Sequence, residues 1–71
     1  MINEALFDQK VVESGYKFKF LASKLGITEN GLIKKRKGII PFKVNEIKIL
    51  TPLLNLTDAE RDDIFDLKSS K

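Results

Sequence analysis

The stretch Phe18-Lys19-Phe20-Leu21-Ala22-Ser23-Lys24-Leu25-Gly26-Ile27-Thr28-Glu29-Asn30-Gly31-Leu32 reads as two short helices joined by a tight turn. Ala22 is small, as a residue must be where a second helix crosses closely over the first. Gly26 suits the left-handed conformation that ends a helix, because it has no Cβ to clash at positive φ. Leu21, Leu25, Ile27 and Leu32 fill the wedge between the helices. The first helix covers Lys17 to Lys24, with Phe20, Leu21 and Leu25 at helical spacing. Thr28 has the side chain of an N-cap for the second, over about residues 29–36, with Leu32 as its inward residue. Together they form a helix-turn-helix unit over about residues 17–37.

Outward from that unit the pattern stays helical, with no sustained apolar/polar alternation. Leu6, Phe7 and Val11, with Ile2 or Tyr16 beyond, predict an amphipathic helix over about residues 3–14, stopped by Ser14-Gly15. Gly38 to Phe42 reads as a loop from which Ile39, Ile40 or Phe42 tucks onto the core. Val44, Ile47, Leu50 and Leu54 predict a fourth helix over 43–55, kinked or cut short at Pro52, which has no N–H for the carbonyl of Lys48. Thr57-Asp58-Ala59-Glu60 has the form of a capping box and opens a fifth helix over about 58–67, with Lys68 to Lys71 fraying. The expected fold is all-α, a single five-helix domain over residues 1–71.

Composition excludes several chemistries. The 71 residues include no Cys, His or Trp, so disulfide scaffolds and Cys/His zinc sites are ruled out. The apolar runs are a few residues long, far from the roughly 18–20 that cross a membrane, and Met1-Ile2-Asn3-Glu4 lacks the basic start of a secretion signal. A cytoplasmic protein with no membrane partner is expected. Asp58, Asp62 and Asp66 share a helix face, while Asp62 and Asp63 diverge by about 100°. Such acids ordinarily cover a surface helix, and neither an enzyme nor a metal or cofactor site is expected.

The net charge of +3 is unevenly spread. Residues 17–48 carry nine Lys/Arg against two acids, while residues 1–16 and 49–71 are each net −2. A basic centre between acidic flanks suits either a polyanion-binding face or a solvated lysine-rich surface.

From Glu13-Ser14-Gly15-Tyr16-Lys17 through Leu21-Ala22-Ser23-Lys24-Leu25-Gly26-Ile27 to Leu53-Leu54-Asn55-Leu56-Thr57, the chain resembles the Cro and repressor type helix-turn-helix regulators of temperate phages and Gram-positive bacteria. Its brevity, with no second domain after Phe65, is similar to the Cro side of that family. Within the family it looks most like the modulators of repression, Cro-like antirepressors of lactococcal phages. The resemblance implies a five-helix fold and a role in the choice between lysogeny and lysis in a bacterial host. It also implies that the helix after Thr28 faces base edges through Thr28, Glu29, Asn30 and Lys34. Asn30 would pair with adenine, Lys34 with guanine or phosphate, and Glu29 with the amino group of cytosine. Lys17, Lys19, Lys35, Arg36, Lys37 and Lys43 would lie toward phosphates.

Three positions depart from that pattern. Phe18 stands where the family very often has Gln, Gly31 where a small hydroxyl residue is usual, and Ile33, one residue after the inward Leu32, points outward. Either Phe18 and Ile33 form an apolar spot on the basic face, of the kind that anchors a protein partner, or Phe18 folds back as core against Tyr16 or Phe42. Two functions follow. In the first, the face docks through Phe18, Ile33 and nearby Lys and Asn side chains on the N-terminal DNA-reading domain of the phage's lysogenic repressor. In the second, helix 29–36 binds operator DNA directly, as Cro does. Ile49, Leu53, Leu56 and Leu67 in the last two helices serve either a full core or a dimer interface, which leaves the oligomeric state open.

Overall fold

Five helices make up the computed structural model, which describes residues 2–67: α1 (Glu4–Ser14), α2 (Phe18–Leu25), α3 (Glu29–Arg36), α4 (Val44–Leu53) and α5 (Asp58–Phe65). Among the described residues there are no strands. The expected fraying of Lys68 to Lys71 lies outside the described residues.

Local chemistry explains where the helices begin and end. The Asn3 side chain accepts from the Leu6 N–H at 3.2 Å, Thr28 from Gly31 at 3.0 Å and Thr57 from Glu60 at 3.1 Å, each satisfying an N–H left orphaned by a helix start. At Thr57 the cap is reciprocal, since the Glu60 carboxylate accepts from the Thr57 N–H at 2.9 Å. Gly26 ends α2 at φ 72°. Its own N–H reaches the Ser23 carbonyl, and the Ile27 N–H reaches that of Ala22, at 3.1 and 3.0 Å, a double closure that needs a left-handed residue between.

Pro52 does bring α4 to an early end. The helix runs one residue past it, then Asn55 takes a positive φ of 53°. The Asn55 and Leu56 N–H groups close on Pro52 and Thr51. Asn is among the few side-chain-bearing residues that take this conformation readily.

Phe7, at the centre of the core, is fully buried. Its ring meets Phe18, Phe42 and Phe65 at centroid distances of 6.0, 6.0 and 6.4 Å, within the range of favourable edge and tilted aromatic pairs. Val11, Leu21, Ala22, Leu32, Leu50, Leu54, Leu56 and Ile64 complete the buried cluster. α1 packs on α5, α2 on both α3 and α4, and α4 on α5. The Asn3 N–H donates to the Ile64 carbonyl at 2.8 Å, tying the start of α1 to α5.

Several expected core positions are elsewhere. Val44 is 70% exposed, because it opens α4 one turn before Ile47 and projects beyond the packed face. Phe20 is turned out of the core, since Leu21, Ala22 and Leu25 face inward and Phe20 lies about 200° round the helix from Ala22. Of the loop residues Phe42 packs inward, whereas Ile39 remains 67% exposed. Leu56 is buried and Leu53 packs against the core, but Leu67 is exposed.

Candidate functional site

α2 and α3 present the basic stretch. On α3 and its C-cap, Asn30, Lys34 and Lys37 recur at intervals of four and three and are all exposed, so they form one outward strip opposite the buried Leu32. Thr28 and Glu29 are exposed at its start. Ile33 beside the strip is only half-buried, which corrects the expectation that it stands fully outward. Gly31 lies under the cap: a Cβ there would sit 3.2 Å from the Thr28 hydroxyl that receives the Gly31 N–H.

The basic residues fall into two sets. Lys35 is buried, and its ammonium donates to Glu46 Oε1 at 2.8 Å and to the Pro41 carbonyl at 3.2 Å. Burial would push the Glu46 carboxyl up, but the Lys35 ammonium and the Lys43 N–H hold it below the ordinary carboxylate range. Arg36 reaches across to α1. Its Nε donates to Asp8 Oδ1 at 2.7 Å, a second nitrogen meets Asp8 Oδ2, and a third lies 3.1 Å from Glu4. This fork of charge-assisted bonds holds Asp8 below its usual value and raises Arg36 further. The expected placement of Lys35 and Arg36 toward phosphates is therefore corrected: both stitch α3 to its neighbours.

Lys17, Lys19, Lys24, Lys34, Lys37, Lys43 and Lys48, by contrast, have no ion pair among the described residues. The acids outside this stretch are largely committed. Lys10 holds Glu13 and Glu60, each at 3.2 Å, and Arg61 holds Asp58 and Asp62. The uncompensated positive charge lies within residues 17–48.

Phe18 is half-buried, its ring edge-on to Phe7, so it belongs mainly to the core. Of the two readings the sequence allowed, the folded-back one holds, although its partner is Phe7 rather than Tyr16 or Phe42. The exposed aromatics of this region are Tyr16 and Phe20, each 39% exposed, which stack with centroids 4.7 Å apart and planes 24° from parallel. Lys24 Nζ lies 5.4 Å from the Phe20 centroid, within cation–π range. Helical spacing grouped Phe20 with Leu21 and Leu25 and did not reveal this arrangement. Phe20 and Lys24 share a face of α2 by their spacing of four, but Tyr16 precedes the helix, and its stacking on Phe20 was not legible from helical spacing.

Among the described residues, no three His, Cys, Asp or Glu side chains come together as a metal site, and no helix is long and apolar enough to cross a membrane. Searches of family models, of curated proteins and of solved structures find no match to this chain.

Proposed function

We propose that this chain is a small helix-turn-helix regulator of a phage lysis/lysogeny switch. It acts as a modulator of repression by docking its α2–α3 side on the DNA-reading domain of the lysogenic repressor. The resemblance to Cro and repressor type regulators supplies the partner. One structural observation supports the mode of action: Lys17, Lys19 and Lys24, without ion pairs among the described residues, lie beside the exposed aromatics Tyr16 and Phe20. Basic surroundings steer such a surface to an acidic protein patch, and apolar contacts then hold it. Occluding the repressor's own reading helix changes its hold on the operator. The protein is on this reading a binding protein and not an enzyme, and uses no cofactor.

Titration of the purified repressor DNA-reading domain by calorimetry tests the proposal. A one-to-one complex is expected, and absence of heat or shift at tens of micromolar overturns it.

A second reading, direct operator binding, draws on the exposed strip Asn30, Lys34 and Lys37. It predicts sequence-selective retention of promoter DNA with affinity falling steeply as salt rises. Equal retention of scrambled DNA would remove it.

A further inference from the structure

The column formed by Tyr16, just before α2, and by Phe20 and Lys24 on its outer side lies outside the hydrophobic core cluster. Phe20 lies opposite the core-facing residues of its own helix, and both rings keep 39% of their surface in water. Exposed aromatics held in a fixed stack are unusual on a surface without a partner, because burying them releases apolar area at little cost in side-chain freedom. A shallow depression lined by Gly15, Tyr16, Lys17, Lys19, Phe20 and Ser23 adjoins the rings. Two lysines, Lys17 and Lys19, border the column, and among the described residues neither they nor Lys24 have an ion pair.

We infer that the Tyr16–Phe20 stack is the apolar anchor of a protein–protein interface, and that its occupant is an acidic protein surface carrying an apolar residue that seats beside the rings. The charge argues for the sign of the partner. A second copy of this chain is the poorer source, because most of its carboxylates already have an ion-pair partner in Lys10, Lys35, Arg36 or Arg61. The ring geometry argues for protein over nucleic acid. Tyr16 stacks on the Phe20 ring, and the Lys24 ammonium lies over the same ring. With Tyr16 and Lys24 already engaging the Phe20 ring and a depression beside the pair, the column suits an inserted apolar side chain better than a stacked base. The anchor therefore lies at Tyr16 and Phe20.

This inference rests on the proposal that the α2–α3 side docks on a repressor domain, and the experiment separates the two. The full-length chain and its Tyr16→Ala, Phe20→Ala and Val12→Ala variants are titrated with the repressor DNA-reading domain. Val12 is an exposed apolar residue on α1 that belongs neither to the stack nor to the lining of the depression. Tyr16→Ala and Phe20→Ala are each expected to weaken binding by about tenfold or more, the loss typical of an interface anchor. Val12→Ala should bind as the parent does, with thermal midpoints unchanged throughout. In the parent chain, the ring resonances of Tyr16 and Phe20 should shift on adding the repressor domain, a readout that needs no variant. If the parent binds and Phe20→Ala matches it within a factor of two, the anchor is overturned while the docking proposal stands. A parent that binds no repressor domain overturns both. Duplex DNA that shifts the same ring resonances, and loses affinity in Phe20→Ala, assigns the column to nucleic acid and overturns the inference.

Discussion

Lys35 Nζ and Glu46 Oε1 meet at 2.8 Å with their side chains only 7% and 4% exposed, joining the last turn of α3 to the first turn of α4. The pair also satisfies the start of α4, since the same carboxylate oxygen accepts from the Lys43 N–H at 2.8 Å. One ion pair thus positions the basic helix and the helix that follows its loop. Buried side-chain polar atoms are all partnered among the described residues, which is the condition under which such a pair is tolerated.

Removing one member leaves a charge buried alone. Lys35→Met is expected to cost about 3–5 kcal/mol, comparable with the whole net stability of a domain this small, roughly 3–5 kcal/mol. Urea titration followed by circular dichroism should find the variant largely unfolded. The double variant Lys35→Met/Glu46→Leu should recover most of the loss, and failure to recover would show that the pair is not the cause.

Acid should destabilise the fold and mild alkali should not. Asp8, Glu13, Glu46 and Glu60 all have carboxyl groups held below their ordinary values by hydrogen bonds and cations. A group depressed in the folded state contributes stability above its unfolded pKa, about 4, and that stability is lost as pH falls through the folded value. Lys10 and Arg36 are raised, so their contribution persists until pH climbs well above neutrality. With no histidine in the chain, the thermal midpoint should be nearly level from about pH 6 to 9 and fall steadily below about pH 5. Asp8→Asn should lessen that fall, and a midpoint that drops between pH 6 and 8 would contradict the assignment.

Arg36 and its neighbours should separate stability from binding. Arg36→Gln breaks the fork to Asp8 and is expected to lower stability by about 1 kcal/mol, solvent screening a partly exposed pair. In titrations with duplex DNA it should leave the slope of log affinity against log salt unchanged. Lys34→Gln or Lys37→Gln should instead reduce that slope by about one each without altering the thermal midpoint. An Arg36 variant with a reduced slope would return that residue to the binding face.

Phe7 and Phe18 should behave as core residues. Phe7→Ala removes the ring that three other phenylalanines pack against and is expected to cost about 3–5 kcal/mol. Phe18→Ala should lower the thermal midpoint by less. Calorimetric melting checks both, and a Phe18→Ala chain with the parental midpoint would show that the ring contributes little to the core.

The sequence by itself determined the helices and their limits, because the devices that start and stop them act within a few residues. Asn3, Thr28 and Thr57 cap the chain locally, Gly26 supplies the turn, and Pro52 ends α4 close to where its missing N–H requires. It also determined that Leu21, Ala22 and Leu32 are buried, since those positions follow from helical spacing. Only the tertiary structure decided which members of Lys34-Lys35-Arg36-Lys37 face water. Lys35 and Arg36 look like their neighbours in the sequence, but their carboxylate partners lie 11 and 28 residues away, and those distances close only when α1 and α4 pack beside α3. The same packing set Phe18 against Phe7 and left Phe20 outside with Tyr16. An aromatic on a short helix between two neighbours goes to whichever side has a ring to meet, and that choice is made by helices distant in the chain.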